Sequence, residues 1–231
     1  MAINFDTLKT SEANLRKMFL RFYNHVLQSQ DYLYKKFKAS KKLSSIQYAT
    51  ILANEKKANK MEAMVLDETS WIISKDMPRA AHLRFLIAII RSIKDLERMG
   101  DFVERVARIL FNQDNIGKDI HRAICRLMKQ SHDFSKEIYR NIASGPHQTK
   151  LYYTNKATKL FLDFSAKYRE CFKEIGEKIF RSKKDINNKI AIFTAIKHIE
   201  RNADHAFNIL ENFMYISEPN FYFGKESRKS K

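Results

Sequence analysis

The sequence predicts an all-α protein made of two tandem three-helix bundles related by internal duplication. Three observations carry this expectation. Only 5 Gly and 3 Pro occur in 231 residues, so little punctuation is available for short strands. A hydrophobic fraction of 44% is enough to fill one sizeable core or two small ones. Finally, residues 79–110 lie over residues 189–216 at an offset of 103, with Ile87/Ile190, Ala88/Ala191, Ile93/Ile196, Lys94/Lys197, Glu97/Glu200, Arg98/Arg201 and Asp101/Asp204 identical. A period near 100 is too long for solenoid units and points to a doubled half-protein.

Breakers and caps then set the elements. Helix one is expected from about Ser11 to Lys38, helix two from Ser44 or Ser45 to about Ser74, and helix three to about Asn112. Asp76 is expected to cap helix three, with Pro78 in its first turn. Helix four follows over Lys118 to Ala143, then the Ser144-Gly145-Pro146 loop, helix five to about Ser182 and helix six over Asn187 to Ile216. The expected divisions are a first bundle over residues 1–115, a second over 116–217 and a basic tail over 218–231. The aromatic runs Phe19 to Tyr23 and Tyr32 to Phe37 read as core packing.

Charge and cysteine content narrow the function classes. The net charge is +17 and the two cysteines, Cys125 and Cys171, form no CxxC pair. The start MAINFDTLKT lacks a signal-peptide pattern, and the longest apolar run, Phe85 to Ile90, is far short of a bilayer span, so a cytoplasmic location is expected. Lysine is spread along every segment, which reads mainly as a solvated surface. A basic helical nucleic-acid-binding protein is the alternative reading, and a metalloenzyme a third. No HExxH, phosphate-binding Gly-rich loop or GxSxG motif accompanies these features.

The chemistry-bearing pattern is a pair of carboxylates at i and i+4 on each repeated helix. At about 100° per residue, Glu97 and Asp101 fall on the side of Leu83, Leu86, Ile90 and Ile93. Glu200 and Asp204 fall likewise with Ile190, Phe193, Ile196 and Phe207. Adjacent carboxylates repel, and burying them uncompensated is costly, so positive charge is required nearby. Two sources are open: an ion-pair network with Lys94, Arg98, Arg105, Lys197 and Arg201, or a hard cation held by oxygen ligands between helices. Helix two offers Glu55, Asn59 and Glu62 on its apolar side. Two weaker features remain: His121 with Cys125, which is too few ligands for zinc, and His198 with His205, which point away from the acids.

The segment Met77-Pro78 to Leu83-Arg84 and on through Ile93-Lys94-Asp95-Leu96-Glu97-Arg98-Met99-Gly100-Asp101 resembles the signature of the PhoU family. Ile199-Glu200-Arg201-Asn202-Ala203-Asp204 looks like its second copy, and Glu55-x-x-x-Asn59-x-x-Glu62 resembles the family's acidic motif on helix two. The resemblance covers about residues 11–216. It implies two three-helix bundles, a homodimer, and iron, zinc or other divalent metal clusters held at Glu55, Asn59, Glu62, Glu97, Asp101, Glu200 and Asp204. It also implies a non-enzymatic regulator of phosphate uptake that binds the ATPase subunit of the phosphate ABC transporter, and a phosphate-sensing histidine kinase where one exists. No nucleic-acid partner is implied, and membrane contact would run only through the partner. Asn59 stands where an acid is expected, and the facing helix of the second half offers only Asn155/Lys159 or Asp163/Lys167. A lysine is therefore expected to neutralise Glu200 and Asp204.

Overall fold

The computed structural model describes residues 5–113, 116–180 and 186–217. Long antiparallel helices run up and down one axis: α1 (Phe5–Ala39), α2 (Ser45–Asp76), α3 (Ala81–Asn112), α4 (Lys118–Ala143), α5 (Pro146–Tyr152), α6 (Thr158–Phe180) and α7 (Ile186–Ser217). A single π-helical turn, Tyr153–Ala157, joins α5 to α6, so residues 146–180 form the one long helix expected there with a local underwinding. No strand occurs among the described residues. The expected tail over 218–231 lies outside them.

Ser44 begins α2 with a full capping box: its hydroxyl accepts from the Gln47 backbone while the Gln47 side chain accepts from the Ser44 backbone. The break after α2 differs from the expectation. Asp76 belongs to α2, Met77 closes it in the left-handed conformation (φ 45°), and α3 starts only at Ala81. Pro78, which lacks an N–H and cannot extend a helix, acts as the stop after α2 and does not sit in the first turn of α3. Helix α1 also starts earlier than expected, at Phe5, because no breaker precedes Ser11.

Phe19, Phe22, Tyr23 and Phe37 are fully buried, so the aromatic runs are core, each ring contributing roughly 1.5–3 kcal/mol by removal from water. The core is continuous: one cluster of buried side chains extends from Leu8 in α1 to Phe213 in α7. The halves meet chiefly where α3 lies against α7, with α1 against α4. Along α3 the buried stripe is Leu86, Ile89, Ile93, Leu96, Met99, Val103 and Val106, facing this junction. Leu83, expected on the apolar face, is partly exposed at the helix start.

The duplication shows in the α3–α7 junction. His205 Nδ1 lies 2.7 Å from Asp95 Oδ1, and the Phe102 ring stacks on His198 with centroids 5.1 Å apart. At the offset of 103, Asp95 corresponds to His198 and Phe102 to His205. The two contacts are thus the same contact seen from either half, which is what a local two-fold axis between α3 and α7 requires.

Candidate functional site

The acidic pair of the first half sits on the seam between α2 and α3. Gly100 lets the helices approach: a Cβ built there would lie 3.4 Å from the Ala58 Cβ. This closeness brings Glu62 of α2 beside Glu97 and Asp101 of α3. Lys94 Nζ lies 2.6 Å from Glu62 Oε1, and Arg105 lies 3.3 Å from Asp101 Oδ2. Glu97 has neither a hydrogen-bond nor an ion-pair partner among the described residues. Burial first, then repulsion from Asp101 and Glu62, pushes its carboxyl above the ordinary glutamate range, against the pull of Lys94 and Arg98. The seam therefore holds one carboxylate whose negative charge is under-compensated.

Glu55 and Asn59 lie farther along α2. The Asn59 amide donates to the Glu55 carboxylate, so the two satisfy one another. Beyond them Tyr48 donates to Glu104 across 2.9 Å, and Arg108 lies 3.8 Å from the same carboxylate. Among the described residues, no three His, Cys, Asp or Glu side chains form a group that could hold a metal ion as they stand.

The second half is arranged differently. Glu200 pairs with Lys197 one turn earlier on α7 and lies close enough to Tyr168 of α6 for its charge to act on the phenol. The phenol of Tyr168 is pushed up to about 12, by burial first and then by Glu200 and Asp204. The Lys197 ammonium also lies 5.6 Å from the centre of the Tyr168 ring. Tyr168 thus takes, toward Lys197 and Glu200, the place that Glu62 takes toward Lys94 and Glu97. The lysine expected from the facing helix does not supply the charge. Lys159 and Lys167 are exposed, and Lys167 lines a surface groove toward α4 with Asp133 and Asp163. The neutralising ammonium is Lys197, on the same helix as its carboxylate.

The weaker constellations are structural. His121 Nε2 lies 2.7 Å from the Phe37 carbonyl, and Cys125 Sγ 3.7 Å from the same nitrogen. Burial pushes the Cys125 thiol up to about 11, which makes it unreactive at neutral pH. A polar seam escaped the reading of the sequence: Asp95 contacts His205 and Asn212, and Asn212 also donates to Ser92, all between α3 and α7. The signal for it was present. Applying the offset of 103 to Asp95 and Phe102 picks out His198 and His205 as their counterparts in the duplicated helix.

Comparisons with known proteins agree with this architecture. Residues 19–110 match the PhoU domain family. A protein of Mycoplasma genitalium described only as uncharacterized is 28% identical over 226 residues, covering 95% of this chain and 98% of its own. A phosphate-specific transport system accessory protein PhoU homolog of Burkholderia is 29% identical over 171 residues, 72% of this chain and 71% of its own. The crystal structure of the phosphate transport system regulatory protein PhoU from Streptococcus pneumoniae superposes with a TM-score of 0.78 at 20% identity, over 93% of this chain and 99% of that one. At that identity the superposition speaks for the fold.

Proposed function

We propose that this chain, whose residues 19–110 match the PhoU domain, acts as its PhoU relatives are named: it regulates a phosphate transport system as a non-catalytic accessory protein, docking on the cytoplasmic ATPase subunit of a phosphate ABC transporter. A phosphate-sensing histidine kinase is a second partner where one is present, and the working form is a homodimer. The observation that carries the reading is the segment Leu96-Glu97-Arg98-Met99-Gly100-Asp101. It falls inside the matched domain, is repeated on α7, and forms the α2–α3 seam. No described helix is long and apolar enough to cross a membrane, in keeping with peripheral attachment through the transporter.

A divalent cation belongs to the same proposal, in the first half only. Carboxylate oxygens from Glu62, Glu97 and Asp101 suit a hard cation, and burial and its acidic neighbours outweigh the pull of Lys94 and Arg98 on Glu97. Bound there, the cation would supply fixed positive charge that ties α2 to α3. Glu55 and Asn59, bonded to each other, and Glu200, paired with Lys197, are committed elsewhere.

Affinity capture of the tagged protein from cells, followed by identification of what it retains, tests the role. Recovery of the transporter ATPase, with altered phosphate uptake on deletion, supports it. Recovery of nucleic acid without any transporter subunit, persisting at moderate salt, refutes it.

A further inference from the structure

Lysine looks evenly scattered along the chain, but folding sorts it. Each long helix can be cut at mid-length, with α1, α3 and α6 finishing and α2, α4 and α7 beginning at one end of the bundle. Among the described residues, that half (23–60, 98–130 and 164–202) carries 22 Lys and Arg against 9 Asp and Glu. The opposite half (7–22, 61–97, 131–163 and 203–217) carries 14 against 12. Nearly the whole positive surplus therefore sits at one end, and the bundle is a charge dipole along its length. Many of the acids in the basic half are already engaged by neighbouring cations, including Asp31 with Lys35, Asp119 with Arg122 and Glu174 with Lys178. The surplus is left to face outward.

Apolar side chains are exposed at both ends, Met64, Trp71 and Met77 among them at the balanced end, so charge is what sets the basic end apart, and there the exposed apolar groups are mainly isoleucines. Ile46, in the first turn of α2, is 80% exposed; Ile186 and Ile190, at the start of α7, are 67% and 57% exposed. The exposed lysines Lys41 and Lys42 stand on the α1–α2 connection and Lys118 opens α4, at the same end. The aromatic rings at the end of α1 are already covered and not free for stacking on bases. Tyr32 and Tyr34 lie under the ammonium groups of Lys36 and Lys38, and Phe37 is buried. A broad basic end studded with aliphatic residues matches an anionic lipid surface, where each lysine near the headgroups contributes about 1 kcal/mol and apolar side chains enter the interface.

We propose that the end of the bundle at which α1, α3 and α6 finish and α2, α4 and α7 begin docks directly on an anionic phospholipid surface. This contact adds to the regulatory role and does not depend on it. It orients the long axis toward the membrane, with the more balanced end pointing away.

Sedimentation of the full-length protein with vesicles of phosphatidylcholine, alone or mixed with phosphatidylglycerol, tests the proposal. Binding is expected only to the mixed vesicles and should weaken steeply as salt is raised. The triple variant Lys41→Glu/Lys42→Glu/Lys118→Glu should lose binding on the order of a hundredfold, from about fivefold per lysine at the surface. Lys17→Glu/Lys136→Glu/Lys159→Glu makes the same charge change at the other end and should keep most of it. Ile46→Ser/Ile186→Ser should weaken binding without altering its salt dependence. Circular dichroism on each variant separates loss of binding from loss of fold. Failure to bind the mixed vesicles, equal losses in the two lysine variants, or displacement from vesicles by duplex DNA at equal phosphate would each overturn the proposal.

Discussion

Asp95 and His205 meet across the junction of the two halves, 2.7 Å apart and each with only about an eighth of its side chain exposed (13% and 12%). Asn212 donates to the other oxygen of Asp95 across 3.3 Å, and Phe102 stacks against the His205 ring. A carboxylate this enclosed depends on its donors, because leaving it unpaired costs the desolvation of the charge. The pair therefore fixes the register of α3 against α7, and with it the placement of both acidic seams.

The first prediction follows from that enclosure. Asp95→Asn and His205→Leu should each cost about 2 kcal/mol in urea unfolding, and the double variant should cost less than their sum, with a coupling of about 1–2 kcal/mol. Additive losses would mean that the two side chains do not act as a unit.

Gly100 offers a test in the opposite direction. A methyl group there meets Ala58 at ordinary van der Waals distance, and the repeat carries Ala203, fully buried, at the corresponding place. Gly100→Ala should stabilise the protein by about 0.5–1 kcal/mol through helix propensity, raising Tm by about 2–3 °C. Gly100→Leu should destabilise it by forcing α2 away from α3. A fall in Tm for the alanine variant would show that the seam is tighter than its Cβ distance indicates.

Glu97 sets a pH dependence with a definite sign. Its folded carboxyl titrates above the unfolded value, so the folded state holds the proton more tightly, and stability falls as pH rises from the ordinary glutamate range through the raised folded value. Glu97→Gln should flatten that part of the stability–pH curve. At neutral pH, in protein stripped of metal, it should also raise Tm by about 1–2 °C through loss of the like-charge contacts. Thermal unfolding across the acidic range measures both effects; an unchanged curve would show that Glu97 is already compensated.

How much of this was legible in the sequence depends on which forces are local. Helix spans followed from breakers and caps and from the scarcity of Gly and Pro, and the start of α2 was placed at Ser44 or Ser45, where it falls. Asp76 and Pro78 misled because a stop signal and a start signal use the same residues; which helix they serve depends on the backbone of Met77, which takes a conformation usually left to glycine. Of the sources considered for the charge on Glu200, the ion pair with Lys197 is the one found, and the lysine expected from the facing helix is not, for a related reason. Lys197 at i−3 competes with any lysine on α6, and the register of α6 against α7, which brings Tyr168 forward, is a packing property. The segregation of charge is likewise invisible along the chain, since it comes from stacking antiparallel helices whose basic halves alternate in sequence.

The two acidic seams should differ in metal content, and the reason lies in how each carboxylate is already engaged. In the first half Glu97 is without a partner, and the positive groups nearest it, Lys94 and Arg98, do not hold its pKa down. A divalent cation entering beside Glu97 gains the attraction of Glu62 and Asp101 as well, and has to displace only the exposed ammonium of Lys94 from Glu62, a contact of modest worth at the surface. In the second half the Lys197 ammonium is held both by Glu200 and by the face of the Tyr168 ring, so a cation would have to displace an ammonium anchored from two sides. Elemental analysis of protein purified without chelator should therefore find metal that is lost in Glu97→Gln/Asp101→Asn and retained in Glu200→Gln/Asp204→Asn. Lys94→Met should bind the cation more tightly, because it removes the competitor for Glu62, and the rise in Tm on adding metal should grow accordingly. Metal lost with the second pair alone, or equally with both, would contradict this assignment. Weaker binding in Lys94→Met would instead show that the lysine organises the seam.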